Sequence, residues 1–364
     1  MTGQPMTTVR HLRLAVISVG VLLASSMAGL QAISFGFETS GPSSIASAYD
    51  TGSFRWTVGP PILTARENTS EMTYFSIKDP SLVRFEDRWH IFCTVRGRPR
   101  THQIEYLSLA DWQDPSPLRA MLDIVPGYYC APQIFYFRPH KKWYLLYQTS
   151  DPQRKPALQP AVSTNDRLDG VGHWSAPEFL FSTGPNTVQR WIDFWVICDD
   201  SRAYLFFTSL DGRFWRCQTS LSSFPHGWDD PQVVLETDIF EAAHVYALKG
   251  RSQYLAIIEA QNGSRRYYKA FLAERLDGPW RPPGSVGEKP FLGPQNVRFR
   301  GPAWCQSFSH GELLRDGYDE RMEVNPNRLV MIFQGVSDEQ MAGKPYGEIP
   351  WRLGLAYQEV PSQP

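Results

Sequence analysis

One pattern recurs five times along this 364-residue chain: a short apolar strand, a polar turn and a second, aromatic-rich strand. The units open at Asp79, Ala131, Asp193, Glu241 and His310, spaced 52, 62, 48 and 69 residues apart. Trp112, Trp174, Trp228 and Trp280 fall between them, each ahead of a turn and an apolar pair that reads as an outer strand. Each unit thus supplies about four short strands, and no segment sustains a helical period. Units of this size and strand content are blades of a β-propeller, radial sheets around a central channel. The chain is therefore expected to be all-β, a five-bladed β-propeller over residues 54–358 with its active site at one mouth of the channel.

Composition narrows the function. Lys and Arg number 36 against 37 Asp and Glu, a net charge of −1, which lacks the basic excess of a nucleic-acid binder. A hydrophobic fraction of 42 % with 20 % charged residues is that of a folded globular chain, not a disordered one. Aromatic residues reach 13 %, and 27 Gly with 29 Pro provide for many turns. Residues 1–32 run from basic (Arg10, His11, Arg13) through apolar to small, the order of a secretory signal peptide. A secreted or periplasmic location follows, with membrane anchoring as the alternative. Residues 33–53 read as a flexible lead-in and 359–364 as a tail. Of the five cysteines, Cys93 and Cys198 lie in apolar strands and are expected to be buried thiols. No CxxC pair is present, which argues against structural zinc.

Propeller geometry gives the acids their meaning. The first strand of each blade lines the channel and its start opens on one face. Asp79, Asp193 and Glu241 therefore converge at that mouth with His310. Any one acid alone would be read as a turn cap; recurrence at the opening position argues for a single site. Convergent carboxylates suit glycoside hydrolysis, which needs a proton donor to the leaving oxygen and a second carboxylate to activate water or attack. Neighbouring acids push each other's pKa values apart, so one stays protonated near neutrality. Ile239 and Phe240 precede Glu241 and would desolvate it, as an acid requires. Lys78 precedes Asp79 and favours its ionised form, as a base requires. Asp193 is left to orient water or sugar and to tune Glu241. Among the rings, Trp191, Tyr346 and Trp351 are those expected to meet substrate.

The stretches Ser76–Asp79, Ala131–Phe137, Ile192–Asp193 and Phe240–Tyr246 resemble glycoside hydrolase family 62. So do Gln253–Ala260, Ser309–Leu313, Phe333–Gly335 and Pro350–Leu355, and the resemblance runs from about Phe54 to Tyr357. It implies a five-bladed propeller and an inverting α-L-arabinofuranosidase acting on arabinoxylan. By resemblance Asp79 is the general base, Glu241 the general acid and Asp193 the modulator, while Lys78 and Tyr346 contact the arabinose. The resemblance also implies a calcium ion near the channel, with His310 as a ligand and Gln334 nearby; from the residues alone, His310 is equally a channel histidine holding a carboxylate. No organic cofactor is expected, and a monomer is. Three departures bear on substrate: Thr149 stands where the family has a pocket Trp, Phe194 replaces a polar residue after Asp193, and Arg96–His102 is an unfamiliar Arg-rich segment. The other readings are a related five-bladed arabinanase, xylosidase or fructan hydrolase, or a non-catalytic glycan-binding propeller. The intact acid trio argues against the last.

Overall fold

The computed structural model describes residues 46–359, apart from 115, 169–170, 186 and 285–288. The expected signal peptide, most of the lead-in and residues 360–364 lie outside the described residues. Short apolar strands between turns form five sheets arranged as a five-bladed β-propeller. From the channel outward, the first blade holds Thr73–Phe85, Arg88–Arg98, His102–Leu109 and Leu118–Met121. The second holds Tyr129–Phe137, Lys142–Ser150, Leu158–Asn165 and Glu178–Phe179. The third holds Ile192–Cys198, Arg202–Thr208, Arg213–Ser220 and Gln232–Glu236. The fourth holds His244–Leu248, Tyr254–Asn262 and Arg265–Ala273, with Glu323–Val324 parallel to His244–Leu248 on the inner side and bridges at Arg281 and Leu292 on the outer side.

The fifth blade closes the ring. Ser307–Leu313, Val330–Val336 and Arg352–Gln358 come from late in the chain, and Trp56–Leu63 adds antiparallel to the last of them. Val297–Phe299 lies parallel at its edge. Early and late segments thus share one sheet, which hydrogen-bonds the ring shut. At the end of the expected lead-in, Ala46–Thr51 is a short helix, and Tyr49 is buried edge-on against Phe54. The Tyr49 ring thereby packs against the segment that leads into Trp56–Leu63.

The Trp series sits in the turns ahead of the outermost strands. Trp174 of the second blade meets Phe92 of the first, and Trp280 of the fourth meets Phe206 and Phe214 of the third. Large rings bury much apolar area at blade-to-blade seams, where short strands alone would leave gaps. All five cysteines are buried and unpaired. The long connection after Leu313 closes the far end of the channel. Tyr136 and Cys198 donate backbone N–H groups to the carbonyls of Tyr318 and Glu320, Ala247 donates to Met322, and Arg315 donates to the carbonyls of Leu82 and Ile134. That segment touches the inner strands of four blades, at the end of the channel away from the acids.

Candidate active site

The site begins with a backbone irregularity. Asp79, Ala131, Asp193 and Ala242 all have positive φ, between 47° and 57°. Pairing slips by a bulge beside the first three, between Lys78 and Ser81, Cys130 and Gln133, and Ile192 and Trp195. A left-handed residue is costly away from glycine, and such strain gathers at functional sites. Each bulge frees a backbone N–H, and the second strand of the preceding blade caps it. Asp79 donates to Gln334 Oε1 at 2.9 Å, Ala131 to Thr94 Oγ1 at 2.8 Å and Asp193 to Gln148 Oε1 at 3.2 Å. His310 follows suit, its N–H reaching Glu259 Oε2 at 2.8 Å. At the matching place in the third blade, Thr208 has a buried hydroxyl without a partner, and Ala242 N–H goes instead to Asp193 Oδ2 at 3.0 Å. Asp193 is therefore tied to the backbone beside Glu241.

Asp79, Asp193, Glu241 and His310 line one cavity of about 320 Å³, with Lys78, Gln148, Phe240, Arg266 and Tyr346 among its other walls. His310 Nδ1 stands 3.4 Å from Asp79 Oδ1 and 3.7 Å from Asp193 Oδ1. Lys78 Nζ is 3.7 Å from Asp79 Oδ1 and donates to the Tyr346 hydroxyl at 3.1 Å. The acids divide electrostatically. Burial would raise the Asp79 pKa, but the Lys78 and His310 charges prevail and hold it below the ordinary value. Burial, helped by Glu259 and Asp193, pushes Glu241 up to about 8 against the opposing Arg266. Asp193 is raised too, by burial first and then by Asp79.

A second layer holds these groups. Arg266 Nη1 lies 2.9 Å from Glu241 Oε1 and 2.5 Å from Glu259 Oε1, and its guanidinium sits 4.2 Å from the Phe240 ring centre. Glu259 is fully buried and also accepts from Ser309 Oγ at 2.7 Å. Gln334 is held at both ends, since its Nε2 donates to Ser309 Oγ at 2.9 Å while its Oε1 accepts from Asp79. It links two blades.

Two expected substrate rings lie elsewhere. Trp191 is 1 % exposed, packed on Phe181, Phe194 and Phe207, and its indole N–H donates to the Leu158 carbonyl. Trp351 is buried with Val336 and Ile349. Tyr346 alone of the three reaches the cavity, half exposed at its rim. Phe194 points into the third blade because the left-handed Asp193 turns the following side chain away from the channel. Thr149 is buried, its hydroxyl donating to the Tyr128 carbonyl. Tyr128 and His102 line the wall there and meet edge to face at 4.4 Å. His102 belongs to the Arg-rich segment, which thus contributes to the site; burial, with Arg96 and Lys78, pushes its pKa down to about 3.

The second-strand caps leave a trace in the sequence. Thr94, Gln148, Thr208, Glu259 and Gln334 each follow an apolar run on a blade's second strand. A polar residue ends such a run in all five blades, and in four of them it braces the inner strand of the next.

Comparison with known proteins agrees with this geometry. The family model for glycosyl hydrolase family 62 matches residues 64–357. The chain is 36 % identical over 310 residues to alpha-L-arabinofuranosidase C of Cellvibrio japonicus, covering 83 % of this chain but 46 % of that protein, about half its length. The catalytic domain of a Coprinopsis cinerea family 62 α-L-arabinofuranosidase superposes with a TM-score of 0.78 at 35 % identity, over 85 % of this chain and 98 % of that one. A Podospora anserina α-L-arabinofuranosidase in complex with cellotriose gives 0.77 at 31 % identity, over 85 % and 98 %. A family 62 hydrolase in complex with xylotriose gives 0.77 at 30 %, over 86 % and 100 %. With the repeat, the ring and the match in agreement over nearly all the described residues, the chain belongs to glycosyl hydrolase family 62.

Proposed function

We propose that this protein is an exported, monomeric, inverting α-L-arabinofuranosidase that removes arabinofuranosyl side chains from arabinoxylan or a related plant-type polysaccharide. The observation that carries the reading is the split between two carboxylates in one cavity: Asp79 held ionised by Lys78, Glu241 held protonated by burial. Glu241 gives its proton to the glycosidic oxygen as that bond lengthens, while Asp79 takes a proton from the water that attacks the anomeric carbon from the opposite face. Asp193, anchored on Ala242 N–H beside Glu241 and close to His310, orients the water, and its proximity raises the Glu241 pKa. The cavity is at the small end for ligand pockets and blind at its base, which suits one terminal pentose. Lys78 and Tyr346 supply a charged and a phenolic contact at its wall. The relatives bear the name α-L-arabinofuranosidase, and the complex of one family member with xylotriose favours a xylan backbone.

Calcium belongs to the proposal in a limited form. His310 would be its protein ligand, and water would fill most of the shell. Gln334 is committed to Asp79 and Ser309, and the described residues hold no ready cluster of three His, Cys, Asp or Glu ligands. Such an ion would add positive charge beside Asp79 and Asp193.

The test is release of arabinose from arabinoxylan, with the first-formed anomer read by proton NMR. Inversion predicts β-arabinofuranose from the α-linked substrate. Retained configuration would refute the roles of Asp79 and Glu241, and a pure preparation that frees no arabinose would refute the activity.

A further inference from the structure

Glu259 is a buried carboxylate that the reaction above does not use. It is fully enclosed, and three donors converge on it: Arg266 Nη1 at 2.5 Å, Ser309 Oγ at 2.7 Å and His310 N–H at 2.8 Å. The nitrogen it holds is the same Nη1 that lies 2.9 Å from Glu241. Ser309 leads on through Gln334 to the backbone of Asp79, so one hydrogen-bonded chain runs from the acid to the base. We infer that Glu259 is a positioning residue that takes up the charge of Arg266 and so leaves Glu241 free to carry the proton it donates. The inference rests on Glu241 being the general acid.

Glu241 and Glu259 compete for one guanidinium. Arg266 alone beside Glu241 would form a partly buried ion pair, which keeps a carboxylate charged. Glu259 is the shorter contact and is fixed in place by two further donors, Ser309 Oγ and the His310 N–H, so it holds the guanidinium more firmly than Glu241 does. Arg266 is thereby neutralised where it stands, and it orients the Glu241 carboxyl without claiming its charge. Glu259→Gln keeps the shape and can still accept from Ser309 and His310, yet it releases Arg266 onto Glu241.

A readout that separates proton donation from general damage is leaving-group dependence. Arabinoxylan has a poor leaving group and needs the acid, whereas a 2,4-dinitrophenyl arabinofuranoside leaves without a proton. General acid assistance is worth about 10²–10⁴-fold. For Glu259→Gln, kcat on arabinoxylan is expected to fall at least tenfold more than kcat on the dinitrophenyl substrate. Removing the competing cation in Glu259→Gln/Arg266→Met is expected to recover part of the loss on arabinoxylan. Equal losses on both substrates, or a double variant worse than the single on arabinoxylan, would overturn the inference. If Glu259→Gln does not fold, Ser309→Ala decides: it removes one of the donors that hold Glu259, so the arabinoxylan-to-dinitrophenyl ratio is expected to fall, and an unchanged ratio overturns the inference. Wild-type protein that frees no arabinose from either substrate would instead refute the activity on which the inference rests.

Discussion

Replacing Lys78 with Met removes the charge that opposes Asp79 burial while keeping most of the stem. Lys78 Nζ and Asp79 Oδ1 are 3.7 Å apart and both side chains are about nine-tenths enclosed. At an effective dielectric of about 20, unit charges at that separation attract by about 4.5 kcal/mol, an upper bound near 3 pKa units. An opposite charge at this range typically lowers a carboxyl by about 1–3 units, so Lys78→Met is expected to raise Asp79 by that much. A general base works ionised, and activity is lost as pH falls through its pKa. Raising that pKa moves the acid limb of kcat/KM upward, by about 1–3 units. The alkaline limb belongs to Glu241, which works protonated and loses activity as pH rises through about 8. Lys78 is the least of the influences named on Glu241, so that limb also moves up, but by less. The bell therefore narrows from its acid side. The assay is the pH profile of kcat/KM on an aryl arabinofuranoside, which reports the free enzyme. An acid limb unmoved within about 0.3 units, or shifted down, would refute Lys78 as the charge that holds Asp79 ionised.

Two further outcomes are expected. Trp191→Ala should destabilise the fold by about 3–5 kcal/mol, read as a lower midpoint in urea, with KM within about twofold; a KM raised tenfold at unchanged midpoint would return the ring to the substrate. The five cysteines should give no reaction with a thiol-specific chromogenic reagent in the folded protein and five equivalents after unfolding, and reducing agent should leave Tm unchanged. A reducing-agent-dependent Tm would show a bridge.

Much of the site was legible in the chain because a propeller turns sequence position into radial position. A residue that opens each repeat must stand at the channel mouth, so Asp79, Asp193, Glu241 and His310 could be grouped without coordinates. Phe240 beside Glu241 and Lys78 beside Asp79 were readable for the same reason, since the cavity wall is built from neighbours in the chain. Rings were harder. Trp191 is next in the chain to Ile192 of the cavity wall, yet a strand sends successive side chains to opposite faces, and a bulge resets which face that is. Phe194 shows the same effect, looking like a pocket substitution while packing inside its blade.

The sequence by itself determined the blade number, the all-β class, the channel acids and the family, because these depend on order along the chain and on residue type. Tertiary structure alone decided what comes from different blades. Trp56–Leu63 had to find Arg352–Gln358 to close the ring, and His102 and Arg266 had to reach a wall shared with Glu241. The layer of Thr94, Gln148, Glu259 and Gln334 acquires its meaning only when each side chain meets a backbone N–H of the next blade. Hydrogen bonds and charge contacts act over a few ångströms of space, and these partners are separated by tens to hundreds of residues of chain.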